Sequence, residues 1–226
     1  MLSHAMENYL KVIYEILEQE DRATTSLIAG SMGIAAASVT AMVKKLAELR
    51  LIRYAPYQGV RLTAAGKKTA LEVVRHHRLL EAYLSEALGV PWDRVHDEAD
   101  QLEHVLSEDL EDRIAAALGE PSVDPHGSPI PSRDGIIQRA STRRLTSVGV
   151  GETVTVVEVA DRDSGLLRFL GDLRLFPGAI VEVLAVDLYQ GPLVLRANGR
   201  EFTLGAAAAE KIRVTSPSSA KEAPQS

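Results

Sequence analysis

The sequence predicts an α+β protein with three parts: an N-terminal winged helix-turn-helix, a helical region and a small C-terminal β-barrel. Helical periodicity fills the first 50 residues, and a short β-like hairpin follows it. Long helical patterns then run to about Leu118, and Val-rich, Gly-punctuated strands fill 148–214. The predicted division is 1–66 for the winged helix-turn-helix, 67–120 for the helical domain, 121–147 for a linker, 148–214 for the barrel and 215–226 for a disordered tail.

The N-terminal elements are predicted from periodicity and caps. A first helix spans 4–20, and Thr24 or Thr25 is the expected N-cap of a second helix that ends at Met32. Gly33 supplies a turn, and a third helix covers 36–50. Two β-like runs within 51–62 then flank the sequence Pro-Tyr-Gln-Gly at 56–59. This order of elements is that of a winged helix-turn-helix.

The later elements are predicted in the same way. A long helix begins near Thr63 and runs to about Leu88, and a second helical region, either continuous or broken, extends to Leu118. Residues 119–147 are rich in proline and glycine and read as a linker. Strand patterns such as 153–159 and 180–186 follow, with a short helix at about 165–170 between them.

Composition limits the possible classes of protein. The chain has 226 residues, 46% of them apolar, and no cysteine, which excludes disulfides and thiolate metal ligands. No apolar run approaches about 18 residues, so neither a membrane span nor a signal peptide is expected and the cytoplasm is the predicted location. The net charge is −6, but residues 97–112 hold eight acids and no Lys or Arg. Elsewhere 25 basic residues face 23 acidic ones, so a DNA-facing surface is compatible with the composition.

The start of the third helix has the character of a DNA-recognition helix. Small residues there allow a close approach to the major groove, and hydroxyls can reach phosphates or base edges. Lysines one turn later and arginines flanking the wing are placed for phosphates. The predicted DNA-binding residues are Ala36, Ala37, Ser38, Thr40, Lys44, Arg53 and Arg61.

Two helical stretches carry residues with metal-ligand spacing. His77 and Glu81 lie four residues apart, and Asp100, Glu103 and His104 fall within about one turn, with His96 two turns before His104. Imidazole and carboxylate together suit first-row divalent ions. The competing interpretation is an exposed helical pair for His77 and Glu81, and an acidic, solvated helix face for the second stretch.

These residues resemble the diphtheria toxin repressor family of iron- and manganese-dependent transcriptional regulators. The resemblance runs from Glu7 to Val214, and its most specific segments are Glu-Asn-Tyr-Leu-Lys-Val-Ile-Tyr-Glu at 7–15, Arg-Leu-Leu-Glu at 78–81, Val-His-Asp-Glu-Ala at 95–99, Glu-His at 103–104 and Gly-Ser-Pro-Ile-Pro at 127–131. It implies a winged-helix DNA-binding domain, a helical dimerisation domain, an SH3-like C-terminal domain and two neighbouring metal sites.

The resemblance also implies the ligands of each metal site. The primary site falls on Asn8, Asp100, Glu103 and His104. The second falls on His77, Glu81 and His96, completed by Asp163 or Asp161 of the barrel, and some manganese-responsive members add residues at the positions of Asp124 and His126. Iron sensors tend to carry Met and Cys where this chain has Asn8 and Asp100. Two oxygen donors there favour Mn(II), with Fe(II) as the second possibility.

The resulting hypothesis is a homodimeric, non-enzymatic regulator of metal homeostasis genes, most simply a repressor. Metal would join the first helix to the dimerisation helices and fix a spacing that fits a palindromic double-stranded operator. The dimer core is expected to use Leu102, Val105, Leu106, Leu110 and Ile114. Three alternatives remain at this point: a winged-helix regulator of a non-metal ligand, a metal-dependent hydrolase and a metal-storage protein.

Overall fold

A computed structural model describes residues 2–55, 58–187 and 191–217. The chain divides into two compact units. The first comprises residues 2–77, 100–113 and 130–137, and the second comprises 78–99, 114–129 and the described residues from 138 onward. Within the described chain, no single helix is long and apolar enough to cross a membrane. The helices at 25–32 and 36–48 pass such a test only together, and the chain bends by 113° between them.

The first unit contains the predicted winged helix-turn-helix. Its elements are α1 (His4–Leu17), α2 (Thr25–Met32), α3 (Ala36–Glu48), β1 (Ile52–Ala55), β2 (Gly59–Leu62) and the first part of α4 (Ala64–Glu86). The side chain of Thr24 caps α2 by accepting from the N–H of Leu27, which decides between the two predicted caps. Gly33 ends α2 with φ +65°, a left-handed conformation that glycine adopts without strain. Pro56 and Tyr57 of the predicted turn lie outside the described residues.

Apolar side chains of α1, α2, α3 and the hairpin form the core of the first unit. Leu10 and Ile13 of α1 are fully buried there, as are Val39, Val43 and Leu46 of α3. Because a protein core is close-packed, the position of α3 is tied to that of α1.

The predicted second helical region is broken, as the sequence allowed. Helix α5 spans Val95–Leu102 and α6 spans Glu108–Ala117. Glu103 and His104 therefore lie in the turn that follows α5 and not on its helical face. The N–H of Leu110 donates to the hydroxyl oxygen of Ser107, which caps the start of α6.

The second unit is built on a six-stranded antiparallel sheet with the order β3-β8-β4-β5-β6-β7. The remaining elements are β3 (Arg143–Arg144), β4 (Thr153–Val159), α7 (Ser164–Asp172), β5 (Ile180–Val186), β6 (Leu193–Ala197), β7 (Arg200–Leu204), α8 (Ala206–Ala209) and β8 (Ile212–Thr215), with a 3-10 turn at Leu145–Ser147. Two register shifts, in β4 and β5, interrupt the ladders. Valines and leucines of the strands form a second core that includes Leu167 and Leu170 of α7.

The segment predicted as a linker is partly buried in the second unit. Asp124, His126 and Ser128 are at most 5% exposed. Gly127 has φ +88°, and a Cβ at this position would stand 1.8 Å from the carbonyl oxygen of Val157. Glycine is therefore required where this segment passes β4.

Candidate metal centre and DNA-binding surface

Helix α1 presents two faces with different chemistry. The apolar face packs into the core of the first unit, and the other face carries Glu7, Asn8 and Lys11 at helical spacing. Ser3 caps the helix by accepting from the N–H of Met6. The polar side chains of α1 are thereby held toward residues 100–104 of the same unit.

Five side chains in the first unit form what we call the first cluster: Asn8, His77, Asp100, Glu103 and His104. His104 Nε2 lies 2.5 Å from Asn8 Oδ1 and 3.3 Å from Glu103 Oε1. On the other side of the same carboxylate, His77 Nδ1 lies 2.6 Å from Glu103 Oε2 and 3.3 Å from Asp100 Oδ1. Glu103 is therefore the centre of the cluster, with a histidine at each of its oxygens.

The first cluster fits a divalent metal ion. Glu103 is 1% exposed, and its Oε1 makes no hydrogen bond to any described residue. A buried carboxylate oxygen without such a partner is costly unless a cation satisfies it. The donors around that oxygen are an amide oxygen and an imidazole nitrogen, which suit manganese or iron.

Two residues that the sequence reasoning did not identify support the first cluster. Glu7 Oε2 lies 2.8 Å from His104 Nδ1, so this carboxylate accepts the Nδ1 proton and leaves the Nε2 lone pair directed at Asn8 and Glu103. The ammonium of Lys11 lies 2.7 Å from Asp100 Oδ1 and 2.7 Å from Glu103 Oε2. The only signal in the sequence was the position of both residues beside Asn8 on one helical face.

Charge interactions hold Lys11 and Asp100 in their ionised forms. Burial lowers the pKa of Lys11, but the carboxylates of Glu103 and Asp100 outweigh it, so this pKa is raised. Burial raises the pKa of Asp100, but the hydrogen bond with His77 and the charge of Lys11 hold it below its ordinary value. The buried ammonium of Lys11 and the exposed carboxylate of Asp100 thus form a charged pair.

The second unit contains a second cluster: Glu81, His96, Asp124, His126 and Asp161. Ligand atoms of Glu81, His96 and Asp161 lie within 4.8 Å of one another, and the same holds for Glu81, Asp124 and His126. Glu81 Oε1, on α4, lies 3.2 Å from His96 Nδ1 and 3.7 Å from His126 Nδ1.

Asp124 and His126 are oriented by the backbone around them. Asp124 Oδ1 accepts from the N–H groups of His126 and Ser128, at 2.8 and 3.0 Å. His126 Nε2 lies 2.7 Å from the carbonyl oxygen of Trp92, to which it donates. Asp124 Oδ2 and His126 Nδ1 make no hydrogen bond within the described chain. Two buried ligand atoms are therefore available for a cation.

The pKa values in the second cluster reflect crowding of negative charge. Burial raises the pKa of Asp124 well above its ordinary value, and the charge of Glu81 adds to the effect. Burial lowers the pKa of His126, but the nearby carboxylate of Glu81, together with Asp124, raises it to about 9. Without a metal, a proton on His126 supplies positive charge at this site.

The two aspartates considered as the barrel's ligand have different positions. Asp163, the residue predicted first, is the N-cap of α7, and its Oδ1 accepts from the N–H of Leu166 at 2.9 Å. Asp161, the alternative, lies 3.8 Å from His96 Nδ1. Of the two, Asp161 is brought to the other ligands, because Asp163 is oriented by its helix cap.

The predicted DNA-binding residues lie on α3 and the hairpin. Ala36, Ala37, Ser38 and Lys44 of α3 are exposed. Thr40 is half-buried, and its hydroxyl donates to the carbonyl oxygen of Ala36 at 3.0 Å, so its proton is bonded within the helix while its oxygen can still accept.

The hairpin places two arginines side by side. Arg53 of β1 and Arg61 of β2 are directly opposed in the antiparallel register, and both are exposed. Neither forms an ion pair with another described residue. Like charges directly opposite one another are unfavourable unless an anion lies between them, which is what a DNA phosphate provides.

Comparison with known proteins gives consistent results over most of the chain. Residues 1–60 match the N-terminal DNA-binding domain of iron-dependent repressors, and 63–132 match their metal-binding and dimerisation domain. Residues 143–216 match the FeoA domain. The iron-dependent repressor IdeR of Mycobacterium leprae is 34% identical over 189 residues, which cover 78% of this chain and 82% of IdeR. The chain belongs to the iron-dependent repressor family, which includes the diphtheria toxin repressor.

Other family members show how far the similarity extends. The diphtheria toxin repressor of Corynebacterium diphtheriae is 28% identical over 92% of this chain and 95% of its own length. A solved structure of a manganese-dependent transcriptional repressor in complex with manganese has a TM-score of 0.89 and 38% identity, covering 93% of this chain and 99% of that one. The predicted α+β architecture and family are thereby confirmed.

The family matches also locate the clusters and the dimerisation region along the chain. Asn8 falls in the DNA-binding match and Asp161 in the FeoA match, and the other cluster residues fall in the metal-binding and dimerisation match. Three of the side chains expected in the dimer core, Leu102, Val105 and Leu110, lie in that last match and are more than 40% exposed. Ile114, also expected in the dimer core, is buried within the chain itself.

Proposed function

We propose that this family member is a manganese(II)-responsive dimeric repressor that binds a palindromic operator of metal homeostasis genes. The observation that carries the proposal is the buried Glu103 carboxylate, whose Oε1 faces His104 and Asn8 without a hydrogen-bond partner among the described residues. A divalent ion at this oxygen would also be held by ligands of α1 and of the turn after α5. Asp100, at the end of α5, would complete the primary site through its second carboxylate oxygen, because its Oδ1 is bonded to Lys11.

The donor types favour manganese over iron in the first cluster. An amide oxygen, carboxylate oxygens and an imidazole are harder donors than the thioether and thiolate expected of iron sensors. The chain has no cysteine to offer. Manganese is named for four of the similar solved structures and iron for the mycobacterial relative, so Fe(II) is the second candidate.

Binding of the ion would act as a cross-link within the first unit. It would join Asn8 on α1 to Glu103 and His104, and α1 shares its core with the recognition helix α3. A shift from mostly inactive to mostly active protein needs about 5 kcal/mol of preferential binding to the active state. A site that is complete only when α1 is in one position supplies such a preference.

The output is proposed to be operator binding through two copies of α3 and of the hairpin. Ala36, Ala37 and Ser38 would enter the major groove, while Lys44 and the paired arginines 53 and 61 would contact phosphates. Leu102, Val105 and Leu110 would form the dimer contact. The proposed division into domains is 1–66, 67–120 and 148–214, with the linker at 121–147.

We further propose a cytoplasmic regulator with no enzymatic activity and no membrane partner. The family matches are to repressors and their DNA-binding and metal-binding domains, which supports this reading. Nothing in the comparisons supports the alternatives of a regulator responding to a non-metal ligand, a hydrolase or a storage protein.

The test is operator binding by fluorescence anisotropy with metal-stripped protein, titrated separately with Mn(II), Fe(II) and Zn(II). The operator would first be selected from random DNA in the presence of Mn(II). We expect binding only with metal, with Mn(II) effective at the lowest free concentration, and loss of the response in Glu103→Ala. Glu108→Ala, an exposed acid of α6, is the matched control and should respond as the wild type does. Equal binding with and without metal would overturn the proposal.

A further inference from the structure

Lys11 is an unusual residue to find in a metal centre. It is 5% exposed, and its ammonium lies 2.7 Å from Asp100 Oδ1, 2.7 Å from Glu103 Oε2 and 3.3 Å from His77 Nδ1. Lysine is rarely buried to this extent unless it is paired with opposite charge. Two of the three N–H bonds of the ammonium are directed at carboxylate oxygens, of Asp100 and Glu103.

The atoms that contact Lys11 are themselves a complete potential ligand set. Ligand atoms of His77, Asp100 and Glu103 lie within 4.8 Å of one another, a spacing suited to one divalent ion. Such an ion would be held by the same two carboxylate oxygens that bind the ammonium. The ammonium occupies that place, and two cations cannot share it.

The two oxygens of Glu103 therefore have different roles. Oε2 already has cationic and imidazole partners in Lys11 and His77. Oε1 has no hydrogen bond within the described residues and faces His104. If Lys11 were absent, the position beside Oε2 would be open to a second metal ion, and the Glu103 carboxylate would then have a metal ion at each oxygen.

We propose that Lys11 is a tethered cation that takes the place of a second metal ion and keeps the first cluster mononuclear. This inference rests on the proposed function, because it assumes that a divalent ion binds at the Oε1 side of Glu103. It assigns a role to a side chain of α1 that is not itself a ligand. The ammonium stays on His77, Asp100 and Glu103 when the metal binds.

The first experiment counts Mn(II) ions per chain by equilibrium dialysis with elemental analysis. The number of ions bound to the first cluster is the number bound by a protein minus the number bound by the same protein with Glu103→Ala. We expect a difference of one ion in the wild type and two in Lys11→Met, which removes the charge and leaves an unbranched side chain that is one atom shorter. Lys11→Arg, which keeps the charge, should retain one ion, and Lys67→Met, an exposed lysine of α4, should match the wild type.

A spectroscopic readout accompanies the count. Two Mn(II) ions bridged by Glu103 are magnetically coupled, so the bound-ion EPR spectrum of Lys11→Met should broaden while that of the wild type stays that of an isolated ion. An unchanged count together with an unchanged spectrum in Lys11→Met overturns the inference, as does a count of two in the wild type. If Lys11→Met does not fold, Lys11→Gln, which retains a hydrogen-bond donor, takes its place in both measurements.

A second measurement uses only the wild type. Amine-reactive labelling read by mass spectrometry should find Lys11 protected both without metal and with Mn(II), because the ammonium stays in place. Labelling that rises when Mn(II) binds would show that metal displaces Lys11, which contradicts the inference. Failure of the proposed function gives a distinct result: a wild type that binds no Mn(II) at Glu103 or binds its operator equally without metal.

Discussion

Truncation of Glu7 tests whether the hydrogen bond to His104 Nδ1 prepares the first cluster for metal. Glu7 is not expected to be a ligand, and its Oε2 accepts the Nδ1 proton at 2.8 Å. In Glu7→Ala the imidazole loses the partner that fixes its tautomer and orientation. Removal of such a carboxylate behind a metal-binding histidine typically costs about 10–100-fold in metal affinity. This corresponds to about 1.4–2.8 kcal/mol of binding free energy.

The assay for Glu7→Ala is a competition titration of Mn(II) against a fluorescent chelator, followed by operator binding at the measured free Mn(II). The midpoint for DNA binding should shift by the same factor as the metal affinity, since Glu7 acts only through the metal site. Glu7→Gln retains an oxygen acceptor and should lose less affinity than the alanine variant. Unchanged Mn(II) affinity in Glu7→Ala would refute the reasoning, and the Glu108→Ala protein controls for loss of surface charge.

Three further predictions concern the second unit. First, in a protein whose first cluster is disabled by Glu103→Ala, the Mn(II) affinity should rise about tenfold from pH 7 to pH 8, because Mn(II) must displace a proton from His126, whose pKa is raised to about 9. An affinity that does not change with pH in isothermal titration calorimetry would contradict this. Second, Gly127→Ala should lower the free energy of unfolding by about 3 kcal/mol in chemical denaturation, whereas Gly119→Ala, also at positive φ but in open space, should cost about 1 kcal/mol. Third, Asp161→Ala should weaken Mn(II) binding at the second cluster, while Asp163→Ala should cost about 1 kcal/mol of stability and leave Mn(II) affinity unchanged.

Local patterns in the sequence predicted the winged helix-turn-helix well, because its caps and turns are encoded within a few residues. Thr24 caps α2, Gly33 ends it and the hairpin register follows from the short β runs. The same reasoning placed Glu103 and His104 on a helix, whereas α5 ends at Leu102. Their convergence on Asn8 comes from the tertiary fold and not from helical spacing.

The parts of the site that were missed depend on long-range contacts. Lys11 meets Asp100 and Glu103 across about 90 positions of sequence, and no local pattern encodes such a pairing. The burial of Asp124 and His126 was equally hidden, because a proline- and glycine-rich composition is typical of exposed linkers. The choice between Asp161 and Asp163 did have a signal. An aspartate three residues before Leu166, at the start of a short helix, is a common N-cap pattern, and it explains why Asp163 is oriented by α7.

The first cluster includes a residue of α1, and α1 shares a core with the recognition helix α3, so metal binding can affect the position of α3 directly. The face of α1 opposite to Asn8 buries Leu10 and Ile13 in the same core as Val39 and Val43 of α3. A close-packed core does not absorb a displacement of one helix by compressing its neighbours. We therefore expect metal to move α1 and α3 together, as one body. Asn8, the proposed ligand on α1, is uncharged, and a carboxylate at this position would bind a cation more tightly.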